Sequence, residues 1–224
     1  MSDLDAKVWR TFVCLFAIVA LLLFVPAGAR YWQAWLYLAV FFGASGAITR
    51  YLMIKDPALL RRRLRGGPTA EKEPSQKIIM FFTSVGFLAL LVVSALDHRF
   101  NWSNPPAYLT IAADVLILLG LYIVFLVYKE NSFTSATIEV AADQRVVSTG
   151  PYALVRHPMY AGSLLYLVAT PLALGSWWGL LAAAGLAPFL WWRLVDEERF
   201  LKQNLPGYAD YCLKLRWRLI PGVF

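Results

Sequence analysis

The chain has 224 residues, 59% of them hydrophobic and 16% charged, with a mean hydropathy of +0.57. That leaves too little polar surface to clothe an ordinary soluble domain and predicts an all-α integral membrane protein. A net charge of +7 would suit nucleic acid in a soluble chain, but here Lys and Arg flank apolar runs, where they set topology and meet anionic lipid, so no nucleic-acid partner is expected.

The first apolar run covers residues 8–25, after Lys7 and before Pro26-Ala27-Gly28. It is long for a signal peptide, and Asp3 and Asp5 dilute a basic leader, so a spanning helix is expected. A short turn leads to the second run, 32–49, with Trp32 and Trp35 at its outer end. Residues 50–77 form the longest polar stretch and hold Arg50, Lys55, Arg61, Arg62, Arg63, Arg65, Lys72 and Lys77, which predicts a cytoplasmic loop. Within it, 56–65 reads as a short amphipathic helix on the inner leaflet, with Asp56 as N-cap and Pro57 at the first position. The third and fourth runs, 78–96 and 108–128, are separated by an outer turn rich in Asn and Pro. Asp114 lies inside the fourth, near enough to its outer end to be expected to reach water or a neighbouring helix.

Residues 129–157 form the next polar segment. Its β-branched stretch 133–140 predicts an extended, partly hairpin-like loop, suited to holding a nucleotide-like ligand by backbone hydrogen bonds. It ends in Gly150-Pro151-Tyr152 and then Arg156-His157-Pro158-Met159-Tyr160-Ala161-Gly162. Pro158 suits a first helical turn, so Arg156 and His157 fall at a helix start, where free N–H groups and partial positive charge attract a carboxylate or other polar group. The bland alternative is an interfacial loop whose Arg and His meet lipid headgroups. No Gly-rich phosphate cradle occurs, which argues against a Rossmann fold or P-loop.

The last two runs, 159–174 and 177–195, are joined by Gly175-Ser176 and must fold back as a tight hairpin. The return arm delivers Arg193, Asp196, Glu197, Glu198 and Arg199 to the membrane face that holds His157. Arg193 and Glu197 are four apart and share a helical face, as a simple salt bridge or as two arms of a site. Their delivery opposite His157 favours the site. The tail, 208–224, alternates basic and bulky apolar residues and is expected to pack over it. About six crossings follow, with a boundary near residue 107 between an N-terminal part, 1–107, and a core, 108–224. Only Arg30 and Arg99 fall in outer turns, so both termini are expected in the cytosol. Cys14 and Cys212 show no disulfide or metal-type spacing, and no metal is expected.

Gly150-x-Tyr152-x-x-x-Arg156-His157-Pro158-x-Tyr160-x-Gly162, an apolar hairpin, Glu197-Glu198-x-x-Leu201 and Tyr208-x-x-Tyr211 together resemble the isoprenylcysteine carboxyl methyltransferases and the wider membrane methyltransferases that include phospholipid methylating enzymes. The resemblance covers about the last half of the chain. It implies S-adenosylmethionine as cofactor, bound from the cytosol, and a lipophilic or lipidated acceptor entering from the bilayer. By resemblance Gln144, Arg145, Val146, Val147 and Tyr152 line the cofactor, His157, Pro158, Met159 and Tyr160 hold its other end, and Glu197 meets its amino-acid part. Arg193 matches the substrate-side arginine, so Arg193, His157 and Glu197 are the expected catalytic residues. Gln144, where the prenylcysteine enzymes have His, and 215–218, where they have a Val-Pro pair, put prenylcysteine itself in doubt as substrate. A carboxylate acceptor needs no general base, whereas an amine or thiol would call on His157 or a nearby Glu. A second resemblance, to NADPH-dependent membrane sterol reductases, rests on the same Arg-His-Pro loop, Tyr211-Cys212 and Arg218-Leu219-Ile220-Pro221.

Overall fold

A computed structural model describes residues 3–67, 69–71, 73–140 and 143–223. Among them the regular elements are all helical: α1 (Asp3–Ala27), α2 (Trp32–Lys55), α3 (Pro57–Arg63), α4 (Pro74–Phe100), α5 (Ala107–Glu130), a 3-10 turn (Gly150–Ala153), α6 (Pro158–Ala173), α7 (Trp178–Asn204) and α8 (Tyr208–Lys214). Five of these, α1, α2, α4, α5 and α7, are long and apolar enough to cross a membrane. This is an integral membrane protein. Cys14 and Cys212 are free thiols.

The hairpin explains how the site is placed. Its first arm, α6, has 16 residues, about 24 Å at 1.5 Å per residue and short of a hydrocarbon core of about 30 Å. The return arm, α7, has 27 residues, about 40 Å. Having started at the same turn, α7 overshoots the start of α6 and carries residues 193–199 past His157. That turn is pinned firmly. Gly175 has φ +67, and the buried Asp97 accepts hydroxyls from Ser176 and Ser103, each at 2.5 Å. Tyr31 donates to the Leu174 carbonyl at 2.5 Å.

Helix α5 packs most extensively on α6, and α4 on α7. At the α5–α6 crossing a Cβ on Gly120 would lie 2.6 Å from the Gly162 carbonyl oxygen, and one on Gly162 2.7 Å from that of Gly120. Only glycine allows that backbone approach, the small-residue packing expected between membrane helices.

Three expectations change. Helix α3 has its Asp56 cap, which accepts from the Leu59 N–H at 2.9 Å, but its apolar side turns into the protein. Leu59 and Leu60 are buried with Val8 and Leu52, because the start of α1 and the end of α2 offer them a surface drier than the lipid interface. Segment 131–140 is irregular, and no strand occurs among the described residues. Neighbouring side chains take its backbone groups: Arg62 the Ser132 carbonyl, Arg63 that of Ser135, Arg193 that of Ala136, and Glu71 the Ile138 N–H. Finally, Asp114 does not reach water. It is buried, and neither carboxylate oxygen has a partner among the described residues, because α5 is wedged between α2 and α6.

Candidate active site

Segments 131–140 and 143–149, the 3-10 turn, the start of α6, the C-terminal end of α7 and α8 enclose a cavity of about 360 Å³. Its wall includes Gln144, Arg145, Val146, Val147 and Tyr152 from the loop, His157, Pro158, Met159 and Tyr160 from the start of α6, and Arg193 and Glu197 from α7. Every site residue expected from the sequence therefore lines one space.

Local structure fixes each group. His157 is the N-cap of α6 and Pro158 its first residue. Proline has no N–H, so the free donors of that turn belong to Met159 and Tyr160, both at the wall. The Tyr160 hydroxyl donates to Glu197. Tyr152 accepts from the Asn131 side chain at 3.1 Å, and Tyr211 donates to the Tyr152 carbonyl at 2.6 Å. Burial pushes the Tyr152 hydroxyl up to about 12, against the Asn131 hydrogen bond, which lowers it. Burial also raises Tyr208 and Tyr211, so all three phenols are neutral donors in ordinary conditions.

The carboxylate that meets His157 is Glu198. Its Oε1 lies 3.2 Å from His157 Nε2 and 3.0 Å from Arg156, and its Oε2 accepts from Arg218 Nε at 3.1 Å. Arg156, His157 and Glu198 are each less than 10% exposed. The tail completes this cluster with backbone bonds: the N–H groups of Arg156 and His157 donate to the carbonyls of Trp217 and Arg218, both at 2.9 Å. The tail thus lies over the site, as its alternation of basic and apolar residues suggested. With Nε2 against Glu198, His157 is a braced residue of the cavity wall. The sequence motif points to Glu197 as the site acid and gives Glu198 no separate role. The adjacent pair Arg156-His157 was the available signal, since two adjacent cationic-type side chains at one helix start call for a shared buried acid.

Arg193 forms no salt bridge with Glu197 among the described residues and pairs with Glu71, at 2.9 Å, a residue of the 50–77 loop. It also donates to Gln76 at 2.9 Å and to the Ala136 carbonyl at 3.1 Å. Glu197 takes the Tyr160 hydroxyl, while the Arg193 guanidinium, close enough to act electrostatically on both Tyr160 and Glu197, is tied to Glu71 and Gln76. Glu71 and Gln76 had no legible signal, because their distance from Arg193 in sequence exceeds 100 residues.

A second cavity, about 490 Å³, lies between α2, α4, α6 and α7 and is mostly apolar, with Phe41, Phe87, Leu167, Leu186 and Trp191 in its wall. Thr83, Tyr160, Ser163, Tyr166 and Leu190 line both cavities, so the polar space and the apolar one meet at these residues.

No curated protein matches the chain. Residues 108–206 match the family model described as phospholipid methyltransferase. The match spans α5, the loop, the hairpin and most of the cavity wall, and it leaves the reductase resemblance without support. Over the stretch 108–206 the chain is similar to the phospholipid methyltransferase family, one of the membrane methyltransferase families that its sequence resembles.

Proposed function

We propose that the protein transfers a methyl group from S-adenosylmethionine to a lipophilic acceptor at the cytoplasmic face of the membrane. The observation that carries this reading is the pair of joined cavities, one polar and reached from the loop side, one apolar and set among spanning helices, meeting at Tyr160. The polar cavity falls within the size range of ordinary small-molecule sites. Its groups suit an amphoteric ligand: the Glu197 carboxylate for an ammonium, the first-turn N–H groups of α6 for a carboxylate, and Val146, Val147 and Met159 for a flat apolar ring.

When bound, S-adenosylmethionine supplies a methyl group on a sulfonium whose sulfur is already a leaving group. The chain then has mainly to align and to exclude water. Tyr160, hydrogen-bonded to Glu197 at the junction, fixes the boundary between donor and acceptor. Tyr208 and Tyr211 pack with Leu205 and Val146 and close the loop side. The positive-inside rule supports both termini lying in the cytosol, the compartment from which the polar cavity would be filled.

Titration of purified protein with S-adenosylhomocysteine and, separately, with NADPH tests the reading. Saturable binding of the first alone is expected, and His157→Ala and Glu197→Ala should each weaken it by about 1 to 3 kcal/mol, the usual cost of a lost buried polar partner. Binding of NADPH in its place, or wild-type affinity in both variants, would overturn the assignment.

A further inference from the structure

The site's arginine is already neutralised. Arg193 lies one turn beyond Leu190, a residue of the junction between the two cavities, and its side chain is 12% exposed. A lipophilic acceptor lying in the apolar cavity would bring its head toward this guanidinium. Yet Nη2 is held by the Glu71 carboxylate at 2.9 Å, and the Glu71 side chain is only 2% exposed. The same Nη2 donates to the Ala136 carbonyl, and Nη1 donates to Gln76. Gln76 is itself oriented by Asp196, to which its Nε2 donates at 2.9 Å. Glu71 is fixed on its other oxygen by the Ile138 N–H, 3.3 Å away.

The charge balance decides what can bind here. A carboxylate acceptor approaching Arg193 meets a cation whose partner is in place, with a second carboxylate behind it. To pair with Arg193 it must displace Glu71, leaving that acid buried and uncompensated, or stand beside it as a like charge in a low-dielectric site. A head group with an uncharged reacting atom meets neither cost.

We propose that Glu71 is a positioning residue that sets acceptor specificity: held as a neutral pair with Glu71, Arg193 turns the acceptor side of the site against carboxylates and toward uncharged reacting groups. The inference rests on the methyltransferase reading for the identity of the acceptor side. Glu71 lines neither cavity, and its charge acts on the acceptor through Arg193.

The test compares two ligands of one shape, farnesoic acid and farnesol, bound to the full chain in a lipid nanodisc. The affinity ratio cancels folding yield and membrane partitioning common to the variants. In the wild type the acid should bind no better than the alcohol. In Glu71→Gln, which keeps an acceptor for Ile138 but loses the charge, the acid should gain about 10- to 100-fold over the alcohol, the size of one charge-assisted hydrogen bond. Glu71→Asp should restore the wild-type ratio, and the double variant Glu71→Gln/Arg193→Gln should lose the acid preference. An acid preference of about tenfold in the wild type, or a Glu71→Gln ratio equal to the wild type's, overturns the proposal; failure of the acid to bind Glu71→Gln counts as the latter. S-adenosylhomocysteine is titrated into the same samples. Its failure to bind would sink the methyltransferase reading, while the acid-to-alcohol ratio would still report on the Arg193–Glu71 pair.

Discussion

Replacing Glu198 by Gln separates the frame of the site from its wall. The carboxylate is the shared partner of Arg156, at 3.0 Å, and His157, at 3.2 Å, with side-chain exposures of 6% or less for all three. Arg218 adds a third contact but is 33% exposed, so water replaces much of what it would lose. The amide keeps the shape and one acceptor oxygen, yet it leaves the Arg156 charge buried without a counter-charge. Breaking such a pair from one side costs about 3 to 5 kcal/mol, and the retained acceptor argues for the lower end, about 3 kcal/mol. In a chain of this size that corresponds to an unfolding temperature lowered by about 6 to 12 °C. Glu197→Gln is the control. The partner of Glu197 is the Tyr160 hydroxyl, which an amide oxygen also accepts, so its stability should change by less than about 1 kcal/mol. Its S-adenosylhomocysteine affinity should nonetheless fall by about 5- to 150-fold, because an ammonium partner is lost. Both variants are followed by tryptophan fluorescence during heating in one detergent and by titration well below the transition. The reasoning is refuted if Glu198→Gln melts within a degree or two of the wild type, or if Glu197→Gln melts as early as Glu198→Gln.

Gly162→Ala should lower the unfolding temperature by several degrees, since its Cβ would fall 2.7 Å from the Gly120 carbonyl and 3.1 Å from Ile123. Gly185→Ala, in the middle of α7 with no atom within 4 Å of the new methyl, should be neutral or stabilising in the same scan. Asp114→Ala removes a buried carboxyl that has no partner among the described residues, so thermal stability should hold or rise; a clear fall would show that the acid is matched by something at work in the membrane. An enzyme reporter fused behind the C-terminus should be active in its cytoplasmic form, and activity only on the outer side would reverse the orientation on which cofactor access depends.

The parts of the fold legible in the sequence were those governed by local chemistry. Apolar runs gave the spanning helices because a backbone in lipid has to satisfy its own hydrogen bonds. Pro158 after His157 marked the start of α6, and Asp56-Pro57 marked α3, because capping depends only on adjacent residues. The overshoot of α7 was partly visible: the apolar run ends near Val195, but the helix continues to Asn204, through Glu197 and Glu198. Polar residues end a hydropathy run without ending a helix, and these are good helix formers. What stayed hidden was which of two adjacent acids faced His157. Successive helical residues point about 100° apart, so the choice turns on the rotation of α7 against α6, which the turn at Asp97 and Ser176 sets from the far end of the hairpin.

The two acids then divide the work in a way that explains why both sit there. Glu198, turned into the protein, is saturated by Arg156, His157 and Arg218, and ties the start of α6 to α7 and to the tail. Glu197, one residue earlier, faces the cavity with the Tyr160 hydroxyl and keeps capacity for a further donor. One turn back, Arg193 would balance Glu197 if the two paired, and the site would have no fixed negative charge to offer a cationic cofactor. Glu71 limits this by sharing the Arg193 charge, with its carboxylate 2.9 Å from the guanidinium. The N-terminal half of the chain, which carries none of the recognised motifs, therefore decides the charge that the motif-bearing half presents. The division predicts an order of effects on the cofactor alone: Glu71→Gln should leave the Arg193 charge uncompensated near Glu197 and, by partly screening that carboxylate, weaken S-adenosylhomocysteine binding several-fold. Arg193→Gln in the same background should restore the affinity, and a double variant no better than Glu71→Gln would show that the loop's acid does not act through Arg193.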